Sequence, residues 1–189
     1  MKKSATYIAL LRGINVGGNN LVPMAELRSL YADIGADCVQ TYIQSGNLVF
    51  NASSSAQALE TSLERAIQQR WGIAIHVIVR SALQWSAYLK SNPFSAATKK
   101  EPQFVALALS KKPPHPDVAE KLRERAANGE QVLLVGDALW VHFPNGAGKS
   151  KLPALFDRFA GSPVTARNWN TILKLDELAC QAIRGTHES

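Results

Sequence analysis

Four short segments of the sequence combine glycine with amide, hydroxyl or cationic side chains. We name them segment A (residues 12–20, RGINVGGNN), segment B (44–47, QSGN), segment C (146–151, GAGKSK) and segment D (165–171, TARNWNT). Glycine lets backbone N–H groups approach a ligand closely, and arginine and lysine add positive charge. Such segments suit the binding of an anion, and above all of a phosphate group.

The four segments lie in stretches of the chain that contain no aspartate or glutamate. These stretches are residues 1–25, 38–59, 138–156 and 158–175, in a chain of net charge +6. An excess of positive charge favours acidic partners, here a nucleotide, a nucleic acid or a phosphorylated metabolite. If the segments meet, they form a positive cleft that has no carboxylate of its own. The alternative is that the excess charge serves solubility and that strands and turns are simply poor in acids.

The candidate ligand-binding residues share a place in these segments and a glycine, amide, hydroxyl or cationic group. They are Arg12, Asn15, Gly17, Gly18, Ser45, Asn47, Lys149, Ser150, Lys151, Arg167, Asn168 and Asn170. Each also has a structural alternative, such as stabilising a turn or remaining a solvated cation. For Trp169 we expect packing between the last helix and a sheet, with Asn170 or Thr171 capping that helix.

Catalysis and metal binding have little support in the sequence. Segment C follows a strand, but a phosphate loop of the Walker type needs glycine where Phe143 stands. The nearest nucleophiles, Ser45 and Ser150, have no base beside them in the sequence. The dispersed histidines lack metal-ligand spacing and the two cysteines form no C-x-x-C pair, so no metal and no cofactor are predicted. His76, inside an apolar run, is expected to be partly buried.

The segments must be positioned by strands and helices, which the apolar periodicity predicts in the order β-α-β-β-α-β, twice over. The predicted strands are residues 6–11, 39–43, 47–50, 74–79, 104–109, 132–135, 139–143 and 164–167. The predicted helices are residues 23–34, 55–72, 81–91, 116–127, 152–159 and 171–184, with a polar loop at 96–102. Ser54 or Ser55 is expected to cap the second of these helices, Gly72 to end it, and Gly161 to end the helix at 152–159.

This order predicts an α+β protein of two ferredoxin-like (βαββαβ) subdomains joined by a helix, with a C-terminal helix. The boundaries are residues 1–80 for the first subdomain, 81–102 for the connecting helix and loop, and 103–189 for the second subdomain with the C-terminal helix. The N-terminal apolar run is too short for a signal peptide, and no 18-residue apolar stretch occurs. We therefore expect no membrane partner and a reducing cytoplasm; the oligomeric state stays open.

Several longer stretches carry a family resemblance. These stretches are YIALLRGINVGG, MAELRSLYADIG, TYIQSGNLVF, NPF, GKSK and TARNWNTILKL. Over nearly the whole chain, they resemble the bacterial family called domain of unknown function 1697. The resemblance implies a bacterial α+β protein of two βαββαβ-like halves and no known activity. By the same resemblance, the characteristic residues of the family are Arg12, Gly13, Asn15, Gly17, Gly18, Ser45, Gly46, Asn47, Lys151, Arg167, Asn168, Trp169 and Asn170.

The leading hypothesis is a binding protein that accepts a phosphate-bearing ligand in a basic cleft. The residues expected at that cleft are Arg12, Asn15, Lys149, Lys151 and Arg167. The first alternative is an enzyme that acts on a phosphorylated small molecule. The second is a structural or dimerisation protein in which the polar segments hold surfaces together and no ligand binds.

Overall fold

A computed structural model describes residues 4–185 of the chain. Residues 4–87 with 174–185 form unit 1, and residues 88–173 form unit 2. The division falls inside two helices, at residues 82–90 and 169–185. The predicted boundaries of the two subdomains and of the segment between them, at residues 1–80, 81–102 and 103–189, stay a prediction.

The strands and helices alternate along the chain in the predicted manner. The strands are β1 Ala5–Leu11, β2 Asp37–Tyr42, β3 Asn47–Ala52, β4 Val77–Ser81, β5 Val105–Ser110, β6 Gln131–Val135, β7 Ala138–His142 and β8 Val164–Asn168. The helices are α1 Met24–Asp33, α2 Ala56–Trp71, α3 Ala82–Lys90, α4 Ser95–Lys100, α5 Val118–Arg123, α6 Phe156–Ala160 and α7 Trp169–Gly185. Short 3-10 turns occupy Pro102–Phe104, Ala147–Lys149 and Leu152–Leu155.

Each unit contains one four-stranded antiparallel sheet. The strand order is β2-β3-β1-β4 in unit 1 and β6-β7-β5-β8 in unit 2. In both sheets, the first strand of the unit pairs with the third and fourth strands on its two sides. The α+β class and the two sheets of the prediction are therefore confirmed.

The two helices of each β-α-β-β-α-β run cover one face of the sheet, because their apolar residues recur at helical spacing. In unit 1, Leu27 of α1 and Leu63 of α2 are fully buried against Leu11 and Phe50. In unit 2, Leu122 of α5 and Phe156 of α6 join Ala108, Leu139 and Val141. Burying one such large side chain contributes about 2 kcal/mol.

Local signals end the helices where the sequence predicts. Ser55 caps α2 by accepting a hydrogen bond from the Ala58 N–H at 3.3 Å. Gly72 ends the same helix in the left-handed conformation, at a φ of 70°, which costs glycine little. Gly161 ends α6 in the same way.

Two local predictions are wrong. Residues 96–102 were expected to form a loop, yet Ser95–Lys100 form α4, because alanine and lysine favour helix over the polar loop expected there. His76 was expected to lie in a strand and to be partly buried. It precedes β4 and is exposed, and its Nδ1 lies 3.7 Å from Glu64 Oε1. The strand begins at Val77, opposite Leu11, and just before it the His76 carbonyl accepts from the Arg12 N–H at 2.9 Å.

Candidate anion-binding loops

Segments A and B lie together at one end of the unit 1 sheet. Segment A follows the last residue of β1, and segment B is the turn between β2 and β3. The Leu11 N–H donates to the Gly46 carbonyl at 2.8 Å, and Asn15 Nδ2 donates to the Gln44 carbonyl at 2.9 Å. The two segments are therefore held together directly by hydrogen bonds.

Asn15 fixes the conformation of segment A. Its Nδ2 also donates to the Val22 carbonyl at 3.0 Å, and its Oδ1 accepts from the Val22 N–H at 2.8 Å. The backbone of Asn15 is left-handed, with a φ of 55°, which asparagine tolerates better than most residues. The side chain thus uses both amide hydrogens on the protein itself. The turn-stabilising alternative weighed for Asn15 is present, and a direct ligand contact stays a prediction.

Segment B is a turn with little freedom. Asn47 is fully buried, and its Nδ2 donates to the Tyr42 carbonyl at 3.2 Å and to Ser45 Oγ at 2.8 Å. A Cβ atom placed on Gly46 would lie 2.7 Å from Leu11 Cβ. The turn therefore requires glycine for space as well as for its φ of 72°.

The part of segment A that faces solvent is its far end. Gly17 and Gly18 are exposed, and a tight turn is closed there by the Asn19 N–H on the Val16 carbonyl at 3.0 Å. Val16 is 62% exposed, and Arg12, half-buried at the start of the segment, adds a cation. The far end therefore offers backbone N–H groups to a ligand, whereas the guanidinium of Arg12 belongs to the start of the segment.

Segment C in unit 2 is braced by its neighbours. Asn128 Nδ2 donates to the Lys149 carbonyl, and Asn145 Nδ2 donates to the Asn128 carbonyl, both at 3.0 Å. Ser150 Oγ donates to Glu130 Oε1 at 2.5 Å and accepts from the Leu152 N–H at 3.1 Å. The loop is therefore held by side-chain hydrogen bonds on both sides.

Glu130 corrects the expectation that segment C has no carboxylate near it. Glu130 is buried, and its Oε2 accepts from the backbone N–H groups of Ala127 at 3.1 Å and Asn128 at 2.7 Å. Burial alone would raise the pKa of Glu130, but the Ser150 hydroxyl and the backbone N–H groups outweigh it and hold the pKa below its usual range. The buried carboxylate of Glu130 is therefore stabilised by the same hydrogen bonds that fix the conformation of the loop.

Lys149 and Lys151 remain as the exposed cations of segment C. Both side chains are exposed, and within residues 4–185 neither forms an ion pair. Both lysines lie on a loop that hydrogen bonds hold in place, and their side chains face solvent. They are the clearest sites for an anion in unit 2.

Segment D is divided between structural and solvent-facing roles. Arg167 Nη1 donates to Thr165 Oγ1 at 2.8 Å and to the Ala166 carbonyl at 2.9 Å. Burial lowers the pKa of Arg167 to about 10, so the guanidinium stays protonated at neutral pH.

The start of α7 is capped within segment D, where Asn168 Oδ1 accepts from the Thr171 N–H at 3.0 Å. The cap of α7 is therefore Asn168, and the expectation of Asn170 or Thr171 as the cap is wrong. Asn170 is exposed.

Trp169 packs as expected. Its ring centroid lies 5.9 Å from that of Trp140, a distance typical of a tilted aromatic pair. Trp140 is fully buried in β7, so Trp169 joins the start of α7 to the unit 2 sheet. Base stacking is thus not the role that this contact favours.

Segments C and D share an end of the unit 2 sheet. Segment C follows the last residue of β7, segment D contains the last residue of β8, and both lie where β5 begins. The order β7-β5-β8 sets them two strands apart, about 10 Å. The prediction that the segments of both units form one site stays a prediction.

Three residues that contact these loops or the strand before them were not predicted from the sequence. Glu130 and Asn128 lie about twenty positions before segment C, so only the folded chain brings them to Lys149 and Ser150. The third is Glu101, whose Oε1 lies 3.0 Å from Nε2 of the buried His142, at the end of β7 from which segment C starts. A turn signal at Asn128-Gly129 was the one local hint.

No group of three or more histidine, cysteine or acidic side chains suited to a metal ion occurs among the described residues. In the same part of the chain, no helix has both the length and the apolar character needed to cross a bilayer.

Comparison with known proteins gives a family and several solved structures of similar fold. The family model described as "Protein of unknown function (DUF1697)" matches residues 4–140. A solved structure of the conserved bacterial protein SP0830 from Streptococcus pneumoniae is similar at a TM-score of 0.75 and 25% sequence identity, over 94% of this chain and 99% of that one. No curated protein matches the chain significantly.

Proposed function

The chain belongs to the DUF1697 family, and we propose that it binds a phosphate-bearing ligand, a nucleotide or a nucleic acid, through the solvent-facing cations of its glycine-containing loops. The observation that carries the proposal is the pair Lys149 and Lys151. Both are exposed, without an ion pair in the described chain, on a loop that hydrogen bonds hold in place. A braced loop loses little entropy when a ligand binds.

Other features support the same reading. In unit 1, Gly17 and Gly18 of segment A add exposed backbone N–H groups, and Arg12 adds a cation at the start of that segment. Arg167 adds a protonated guanidinium at the end of the sheet that holds segment C. The chain as a whole carries +6, which speeds the approach of a polyanion.

We also propose that each unit is a ferredoxin-like sandwich, since helices follow the first and third strands and the sheet order runs 2-3-1-4 within each unit. The exposed free thiols of Cys38 and Cys180 support a reducing compartment such as the cytoplasm.

The test is a salt titration of binding to short single-stranded RNA and DNA and to nucleotides, by fluorescence anisotropy. Lys149→Gln with Lys151→Gln is expected to weaken binding and to reduce the salt slope by about 1.4 on a single strand, since each phosphate contact contributes about 0.7. The matched control is Lys99→Gln with Lys100→Gln, which removes the same charge from exposed positions on α4 of the same unit.

Equal losses in the two double variants would mean that only net charge matters, and the loop would have no specific role. Absence of binding to all three ligand types at low salt would remove the proposal. For unit 1, Arg12→Gln is compared with Arg65→Gln, an exposed arginine on α2. A loss confined to Arg12→Gln assigns segment A to the ligand.

The enzyme alternative is weakened by the same hydrogen bond that braces segment C. Ser150 has a carboxylate beside it, Glu130, at 2.5 Å. A general base works best when its pKa is close to the working pH, whereas that of Glu130 lies below its usual range. The pair therefore suits a structural hydrogen bond better than the activation of a nucleophile.

A further inference from the structure

The two sheets have four edge strands, β2 and β4 in unit 1 and β6 and β8 in unit 2. An edge strand presents unpaired backbone N–H and C=O groups to any other extended chain. Proteins commonly block such edges with charged side chains, bulges or covering groups. The four edges of this protein differ in how far they are blocked.

The edge of β4 is closed by side chains. Glu64 Oε1 and Glu60 Oε1 accept from the Val77 and Val79 N–H groups, both at 2.9 Å. Gln84 Oε1 accepts from the Ser81 N–H at 3.0 Å. These contacts occupy alternate N–H groups along the strand, which are the groups that a further strand would need.

The edges of β8 and β2 are blocked in other ways. On β8, Asp157 Oδ1 accepts from the Val164 N–H at 3.0 Å, and Arg167 Nη1 donates to the Ala166 carbonyl at 2.9 Å. On β2, the register with β3 shifts between Asp37 and Gln40, and Cys38 has a φ of 54°. A bulge of this kind twists an edge away from regular pairing.

The edge of β6 has none of these devices. Its sequence is QVLLV, without charge or proline, and it pairs with β7 through consecutive residues from Gln131↔His142 to Val135↔Ala138 without a shift. Within residues 4–185, no side chain hydrogen-bonds to the backbone of β6. Leu133, at its centre, is 38% exposed, and Leu134 and Val135 are partly exposed. A regular, apolar, open edge is the kind that pairs with another strand.

We propose that β6 pairs antiparallel with β6 of a second copy of this chain, so that two four-stranded sheets join into one eight-stranded sheet. Leu133 is the middle residue of the strand, and a two-fold axis beside it lets all five residues pair. Leu133 then faces Leu133 of the other copy, and Gln131 faces Val135. Such an interface is self-complementary, as a two-fold dimer requires.

The charges beside β6 suit a second copy better than a charged peptide. Helix α5 packs on β6, and around it Asp117, Glu120 and Glu124 are balanced by Lys121, Arg123 and Arg125. The strand is also flanked by two acids, Glu130 and Asp137, which accept hydrogen bonds from the hydroxyls of Ser150 and Tyr88 within their own chain. The excess positive charge of the chain, +6, therefore lies away from this edge. Two copies can approach along this edge without the repulsion that their net charge would otherwise impose.

The interface is small, because five residues pair on each side, so we expect a weak dimer with a dissociation constant of roughly 10–100 µM. Sedimentation velocity over a concentration series measures it. Leu133→Lys places two like charges directly opposite each other across the axis, and is expected to raise the dissociation constant at least about tenfold. Leu83→Lys is the matched control, since Leu83 is 83% exposed on α3, and it is expected to leave the dimer unchanged.

Mixing Leu133→Lys with Leu133→Glu is the sharper test. Each variant alone is expected to be monomeric, and the mixture is expected to dimerise, because opposite charges then face each other. If either variant fails to fold, as judged by circular dichroism, Leu133→Cys in a Cys38→Ser, Cys180→Ser background replaces it. A short bismaleimide is then expected to link two copies of that variant, and no linking would count against the proposal.

A native chain that stays monomeric up to about 1 mM would overturn the proposal, as would a dimer that Leu133→Lys and Leu83→Lys weaken equally. A dimer insensitive to Leu133→Lys would place the interface elsewhere and also overturn it. The dimer is measured without ligand, so its loss says nothing about the phosphate-binding proposal, which rests on the lysines of segment C.

Discussion

Units 1 and 2 have the same strand order but place their polar segments at opposite ends of the sheet. In unit 1, segments A and B lie where the first strand, β1, ends. In unit 2, segments C and D lie where the corresponding strand, β5, begins. The repeated strand order thus sets the scaffold but not the place of the candidate site. Function in a shared fold resides in the connections, which differ between the two units.

The equivalent hairpin turns show the same contrast. Gly46 in the β2–β3 turn and Gly136 in the β6–β7 turn have similar φ values, 72° and 62°. The Gly46 turn packs on Leu11 and Ile14, whereas nothing lies within 4 Å of a Cβ atom on Gly136. A turn that belongs to a polar segment is packed, and its counterpart is an ordinary surface turn.

The largest loss of stability is expected from a substitution that tests the difference between these two turns. Gly46→Ala is expected to lower the free energy of unfolding by about 3 kcal/mol, since it adds a steric clash to the cost of a left-handed residue. Gly136→Ala is expected to lower it by about 1 kcal/mol, from the backbone conformation alone. Urea unfolding followed by circular dichroism measures both. Similar losses would show that the packing of segment B does not contribute to the free energy of unfolding.

An intermediate effect concerns the brace of segment C, which has a carboxylate where segment A uses the amide of Asn15. Glu130→Gln is expected to cost about 2 kcal/mol at neutral pH, the range for hydrogen bonds to a charged group. The pKa of Glu130 is lowered in the folded state, so its contribution is complete above the unfolded value of about 4.3 and is lost as pH falls through the folded value.

The difference in stability between native protein and Glu130→Gln should therefore shrink in acid. Urea unfolding at neutral pH and at about pH 3 measures it. Glu124→Gln, an exposed glutamate beside α5, is the control and should show little change at either pH. A Glu130→Gln cost that does not depend on pH would mean that the ionised form is not what stabilises the loop.

The smallest losses of stability are expected at the two helix caps. Asn168→Ala is expected to cost about 1 kcal/mol and Ser55→Ala about 0.5 kcal/mol, because the cap bond is 3.0 Å long in α7 and 3.3 Å in α2. Asn170→Ala, at an exposed position, serves as the control for segment D. Thermal unfolding resolves these differences, and a larger cost for Asn170→Ala would return the cap to the residue first expected from the sequence.

Much of the scaffold was predictable because its causes are local. A continuous apolar run predicts β1, and the turn residues Ser45 and Gly46 predict the hairpin that contains β3. Ser55 and Gly72 mark the ends of α2 within one residue of where they lie. The polar segments were also found from their composition alone. Three local predictions failed. At α4 and at His76, short runs carry no clear periodicity, and the α7 cap is Asn168 rather than Asn170 or Thr171.

The order of the elements and the segments rich in anion-binding groups can be predicted from the sequence, since both depend on residues that are neighbours along the chain. The folded structure is needed to show which of those groups remain for a ligand. It commits Asn15, Asn47 and Asn168 to backbone hydrogen bonds and brings Glu130 to Ser150, while Lys149 and Lys151 stay in solvent. The reason is that hydrogen-bond partners distant in sequence meet only when the sheet forms, and a polar group used by the fold is no longer offered to a ligand.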